Sequence, residues 1–251
     1  MNCTCGCQLR LPFELPHIPT VFIVEPDAAT RDAMARLVAE AGWHPALSAT
    51  AEEFLARPRV IGAGCMLVEQ HLPGMDGLAL QEFVADRKET PVIFMSDRTD
   101  IQATVKAMKG GAFEFLSKPV RDQTLLDSIG LAIEHSFAAL CDLVRIQEFQ
   151  QRYQELSRRE RDVMRLVVAG RLNKQVGAEL GISEITVKAH RGSVMRKMVA
   201  RSLADLVGMG AVLGVRADSR HAVSDLERFF GPANARAMAP VHRADDRSYL
   251  S

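Results

Sequence analysis

Residues 183–198 carry side chains suited to hydrogen bonding with a polyanion. Read as a helix at about 100° per residue, the segment separates into two faces. Val187, Val194 and Met198 fall in one narrow stripe that must meet a core. Ile185, Lys188, Ala189, Gly192 and Arg196 lie opposite. Small residues let a helix come close to base edges, and long basic chains reach bases or phosphates. A glycine inside a helix costs roughly 1 kcal/mol relative to alanine, so Gly192 points either to close approach by a ligand or to a tolerated defect. Ser183 and Thr186 sit at the N-terminus of the segment. Hydroxyls and free amides there suit a phosphate oxygen.

The elements that must hold this face can be read from the residues before it. Ser157-Arg-Arg-Glu160 is a capping box, opening a helix with Val163, Met164, Leu166 and Val167 inward. Asn173 is expected to cap a short helix with Val176, Gly177 and Leu180 inward. Gly181 ends that helix, and Ser183 caps the next, which runs to about Met198. Two helices joined by a glycine-containing turn, the second longer and basic, form the arrangement that lays a recognition helix in the DNA major groove.

Leu156-Ser-Arg-Arg-Glu160, Asn173-Lys174, Ile182-Ser183 and Thr186-Val-Lys-Ala-His190 resemble the LuxR-type DNA-binding domain, in its FixJ/NarL branch. The resemblance implies a small all-α domain of four helices over 152–215. Its fourth helix, near Ser202–Leu213, should pack behind the recognition helix and help the domain dimerise. It implies that Lys188, Ala189 and Gly192 face bases, and that Asn173, Lys174, Ser183, Thr186, Arg191 and Arg196 complete the DNA-binding set. Gly192 lacks the long side chain that many members place there, so the target sequence is not inherited by analogy.

Ahead of this domain the hydrophobic pattern changes. Apolar strand-like runs occur at Thr20–Val24, Pro45–Ser48, Cys65–Val68, Val92–Met95 and Phe113–Leu116. Amphipathic stretches separate them, near Ala28–Ala41, Ala51–Ala56, Gly77–Arg87, Ile101–Lys109 and Asp122–Glu134. Such alternation predicts an α/β doubly wound, five-stranded parallel sheet over 18–137. Chemistry in such a sheet gathers at the carboxyl ends of its strands. The last helix has no Gly or Pro to stop it through Ala138–Tyr153, so 138–151 is expected to be a helical linker.

The strand-end residues resemble a response-regulator receiver domain of the flavodoxin/CheY-like fold. Glu25 follows the first strand, and Glu69 ends the third ahead of Leu72-Pro-Gly-Met-Asp-Gly77. Ser96 ends the fourth, and Phe115-Leu-Ser-Lys118-Pro119 closes the fifth. In the family these places hold an acidic pair, a phospho-accepting Asp, a Ser/Thr, an aromatic switch residue (here Phe115) and a Lys. Two positions depart from that pattern. Glu69 stands where the acceptor Asp belongs, and the acidic pair is Glu25-Pro26, with Asp27 one place further on.

A receiver needs two or three carboxylates around Mg²⁺, so Mg²⁺ binding is doubtful here and no cofactor or metal is expected. The extra methylene of Glu moves a nucleophile by about 1 Å or more, which removes much of the benefit of positioning. Glu69, Asp27, Glu25, Ser96 and Lys118 then form a pseudo-active site. Glu69 either extends its single charge toward Ser96 and Lys118 in place of a phosphoryl group, or is vestigial in a receiver that serves only as a dimerisation scaffold.

Charge divides the same way. From 18 to 137 there are 11 Lys/Arg and 17 Asp/Glu, a net of −6, and from 151 to 215 there are 12 and 6, a net of +6. A basic module joined to an acidic one suits a DNA-binding domain with a regulatory partner. No apolar run reaches the length of a membrane span and no apolar leader opens the chain, so a cytoplasmic protein with no membrane partner is expected. No Ser-His-Asp set, P-loop or Gly-rich nucleotide motif is present, and an enzyme is not expected.

The expected function is transcription regulation by a homodimer on promoter double-stranded DNA, independent of Asp phosphorylation. RNA polymerase is a further expected partner, with a sensor kinase as a candidate. The alternatives are a phosphorelay regulator using His71 or Asp76 as acceptor, and an adaptor that sequesters a kinase or partner regulator. Cys65 and Cys141 fall in apolar patterns and read as structural. Cys3, Cys5 and Cys7 lie in a tail, 1–17, without periodicity. The segment 216–251 is expected to be mostly disordered, with a turn or two of helix at Val223–Phe230.

Overall fold

The computed structural model describes residues 18–59, 61–97 and 101–215. The Cys3, Cys5 and Cys7 run and the Val223–Phe230 helix lie outside them. The chain divides into two compact units, residues 1–145 and 146–251.

In the first unit, strands β1 (Thr20–Val24), β2 (His44–Ser48), β3 (Gly64–Glu69), β4 (Val92–Ser96) and β5 (Glu114–Ser117) form one sheet in the order β2-β1-β3-β4-β5. All four pairings are parallel. Helices α1 (Ala28–Glu40), α2 (Ala51–Leu55), α3 (Gly77–Phe83), α4 (Ile101–Lys109) and α5 (Asp122–Gln154) alternate with the strands. Side chains alternate across a strand, so the sheet has two cores. Val21 and Ile23 pack with Leu67, Ile93 and Met95 against α1 and α5 through Met34, Val38, Leu125 and Ile129. Val24, Met66, Val68 and Phe94 pack against α2, α3 and α4 through Phe54, Leu80, Val84 and Ala107. Cys65 is fully buried in β3, and burial pushes its thiol up to about 12, which leaves it inert.

The strand pattern is that read from sequence, within a residue or two at each end. Helix α3 is shorter than its periodicity predicts. It stops at Phe83, and tight turns follow, with the Arg87 N–H donating to the Val84 carbonyl and the Thr90 N–H to the Arg87 carbonyl. These turns bury Glu89, whose carboxylate meets the Arg59 guanidinium at 2.6 Å. Helix α5 continues without interruption for 33 residues.

The second unit holds α6 (Arg158–Val168), α7 (Asn173–Leu180), α8 (Glu184–Lys197) and α9 (Leu203–Val212). Val163, Met164, Leu166 and Val167 of α6 form one core with Val176, Val187, Val194, Met198 and Leu206. Phe149 and Tyr153, from the end of α5, pack on it. The capping box at Ser157 and Glu160 is closed in both directions. Gly181 ends α7 in the left-handed conformation, and Ser183 caps α8 by accepting from the Thr186 N–H. Gly177 makes the turn tight, since a Cβ there would stand 2.8 Å from the Ile182 carbonyl oxygen.

One cap differs from expectation. Asn173 is the first residue of α7, and Leu172 holds the cap position. Gln175 supplies the other half of a capping box, accepting from the Leu172 N–H at 2.9 Å. The Asn173 side chain is thereby released and accepts from Arg191 at 3.3 Å.

Candidate DNA interface and receiver pseudo-active site

The register of the parallel sheet brings the ends of β1 and β3 side by side, with Val24 opposite Val68. Glu25 and Glu69 therefore emerge as neighbours, 2 % and 6 % exposed. Burying two carboxylates is costly unless a cation joins them. Lys118, just past β5, supplies it. Its ammonium donates to Glu69 Oε2 at 2.5 Å and to Glu25 Oε2 at 2.7 Å. Burial works to lower the Lys118 pKa, but the hydrogen bonds to Glu25 and Glu69 outweigh it and hold the value above that of a free lysine. The remaining carboxylate oxygens are also occupied. Glu25 Oε1 accepts from the Asp27 N–H at 3.1 Å and Glu69 Oε1 from the His71 N–H at 3.2 Å.

Asp27 takes a different part from the one expected. Its carboxylate caps α1, accepting from the Thr30 N–H at 2.7 Å, and the hydrogen bonds of Thr30, the hydroxyl's first and the N–H's second, lower its pKa. Pro26 puts Asp27 at the helix cap position, where an orphan N–H competes for it. Ser96 is buried at the end of β4. Phe115 is half-buried against the α3/α4-side core, its ring stacked on Phe94 with centroids 6.1 Å apart. Asp76 occupies the cap position of α3, exposed and with no side-chain capping bond.

A receiver implies Mg²⁺, and these residues do not fit it. An ammonium already lies between the two buried carboxylates, all four of whose oxygens have donors, and the third carboxylate is turned to a helix cap. Glu69, His71 and Asp97 do bring one ligand atom each to within 4.8 Å of one another. His71 and Asp97 are exposed, and the two Glu69 oxygens are already committed.

In the second unit, α8 presents Ile185, Thr186, Lys188, Ala189, Gly192 and Arg196 to solvent. Ser183 is exposed at its cap, and Lys174 is exposed on α7. Arg191 is half-buried and directed to Asn173. Lys188 lies 3.4 Å from Glu184, an exposed i,i+4 pair of small energy that can open for another anion.

Sequence reasoning missed what fixes the angle of α8. Glu160 closes the capping box of α6, yet its carboxylate also accepts from Lys197 at 2.7 Å and from Ser193 at 2.6 Å, both on α8. The Lys197 bond, then those of Ser193 and the Ser157 N–H, hold the Glu160 pKa down at about 2. The only signal in the sequence is Lys at one helix end and Glu at the start of another.

Among the described residues, no helix is long and apolar enough to cross a membrane. Residues 21–130 match the family described as response regulator receiver domain. Residues 154–210 match the bacterial regulatory proteins of the luxR family. Nodulation protein W of Bradyrhizobium diazoefficiens is 42% identical over 79% of this chain and 88% of its own length. Transcriptional regulatory protein FixJ of Rhizobium meliloti is 36% identical over 78% of this chain and 96% of its own. The solved structure of the response regulator StyR, at 37% identity, covers 77% of this chain and 98% of its own with a TM-score of 0.65. The chain therefore belongs to the response regulators that join a receiver domain to a luxR-family DNA-binding domain, a family of transcription regulators and not of enzymes.

Proposed function

We propose that this regulator binds promoter DNA as a homodimer without phosphorylation at the usual place, because Glu69 supplies a permanent negative charge where other members acquire a phosphoryl group. The observation that carries this reading is the 2.5 Å contact between Glu69 Oε2 and the Lys118 ammonium. In a receiver, charge at the end of the third strand draws in the lysine, and the aromatic residue of the fifth strand turns inward. Here Phe115 is already stacked on Phe94. A glutamate carries one charge where a phosphoryl group carries about two, so the bias is weaker than that of full phosphorylation.

The DNA-facing set is Lys174, Ser183, Thr186, Lys188, Ala189, Gly192 and Arg196, with Asn173 and Arg191 bonded to each other at the edge of α8. Exposure along one side of a capped helix supports that assignment, as does the net charge of +6 over 151–215.

Acetyl phosphate with Mg²⁺ tests the phosphorylation reading. Intact-mass measurement should find no phosphoryl adduct at residue 69. Stoichiometric labelling that disappears in Glu69→Gln would overturn it.

A further inference from the structure

Ile185 is 80 % exposed, more than any other large apolar residue described in the chain, and it sits in the first turn of α8. Nothing in the fold of this unit requires an apolar side chain there. Its neighbours define what it faces. Ala189 and Gly192 follow at i+4 and i+7 on the same stripe, both exposed. A Cβ at Gly192 would meet nothing within 4 Å, so packing within the protein does not demand glycine. Lys188, the nearest cation on this stripe, is partly neutralised by Glu184. Arg196 lies at the far end, about 16 Å along the axis at 1.5 Å per residue. The N-terminal half of this face thus carries an apolar, low stripe at Ile185 and Ala189 beside Lys188, whose ammonium is shared with Glu184, and its cation unpaired among the described residues, Arg196, stands in the C-terminal half.

A recognition helix contacts base edges with its N-terminal residues, and the one apolar group on a major-groove base edge is the thymine methyl. We propose that Ile185, seconded by Ala189, reads thymine methyl groups, and that Gly192 lets the helix approach closely enough for that contact. Sequence preference would then come from apolar contact at the N-terminal end of α8, with Arg196 on a phosphate. This inference rests on the DNA-binding reading of α8 and goes further in naming the base and the residue that selects it.

The test begins with selection of preferred duplexes from a random pool by the full-length chain. Each dT of the selected site is then replaced by dU, which differs only in lacking the methyl group, and affinity is read by fluorescence anisotropy. At one or more positions per half-site the wild type should lose about fourfold, the equivalent of ~0.8 kcal/mol for one buried methylene. Ile185→Ser should lose the dU penalty at one or more of these positions with an unchanged salt slope, and Ile185→Val should retain part of it. The exposure of Ile185 keeps the fold out of the result, and circular dichroism verifies that. An undiminished dU penalty in Ile185→Ser overturns the proposal, and so does a wild type indifferent to every dU. Failure of the wild type to select any sequence would instead remove the DNA-binding reading beneath it.

Discussion

At the scale of single residues, the pseudo-active site is a three-body balance. Glu25 and Glu69 are almost fully buried, and the one ammonium between them makes their burial tolerable. Removing one partner of a buried ionic group typically costs 3–5 kcal/mol, because a charge is left uncompensated. Lys118→Met should therefore destabilise the receiver by about 3 kcal/mol at pH 7. Trp43, the only tryptophan of the chain, packs against the α1/α5-side core, and its fluorescence in urea titrations reports receiver unfolding. A Lys118→Met variant as stable as the wild type would contradict the balance, since two buried carboxylates would then stand without their cation at no cost. This cluster was only half legible in the sequence. Glu69 and Lys118 are recognisable as strand-end residues. That one ammonium satisfies both carboxylates depends on positions 49 and 93 residues apart, and on a register that no local pattern fixes.

At the scale of elements, α8 is held by a different ionic contact. Glu160 has its pKa lowered to about 2 from an ordinary 4.5, first by the Lys197 bond. A depressed carboxylate contributes stability that is fully present above its unfolded value and lost as pH falls through the folded one. The second unit should thus lose about 3 kcal/mol between roughly pH 4.5 and 2, and Glu160→Gln should abolish that dependence. Thermal unfolding followed by circular dichroism reads the difference, and parallel pH profiles in wild type and variant would contradict it. Gly192 concerns the opposite face of the same helix. Open space at its Cβ position means that Gly192→Ala should stabilise the unit by about 0.5–1 kcal/mol through helix propensity alone. The same methyl should weaken DNA binding. A variant both more stable and equally tight would show that the helix never comes close to a base there.

The elements themselves were legible because their periods are clean. Val187, Val194 and Met198 are buried where 3.6 residues per turn put them, and the strands alternate between two cores. What local pattern could not give was competition between side chains. Gln175 bonds the Leu172 N–H at the start of α7, Thr30 claims Asp27, and Arg59 pairs with Glu89, buried beyond the end of α3.

At the scale of the whole molecule, two units of opposite net charge are joined by the 33-residue helix α5, and regulation requires that the state of one alter what the other does. The receiver can bias an equilibrium only by as much as its charge favours one of two arrangements. Opposite unit charges about 4 Å apart interact by about 4 kcal/mol at an effective dielectric of 20, before desolvation is subtracted. A net bias of about 1–2 kcal/mol shifts a two-state population roughly five- to thirtyfold. Glu69→Gln keeps the size of the side chain, removes its charge and leaves Glu25 to hold Lys118. The direct measurement is dimerisation by sedimentation and DNA affinity by anisotropy, for wild type and Glu69→Gln, on a duplex selected by the wild type. If Glu69 holds the active arrangement, both should weaken together by about five- to thirtyfold while Trp43 still reports a folded receiver. Equal dimerisation and equal DNA affinity in the two proteins would contradict it and leave the receiver a passive scaffold.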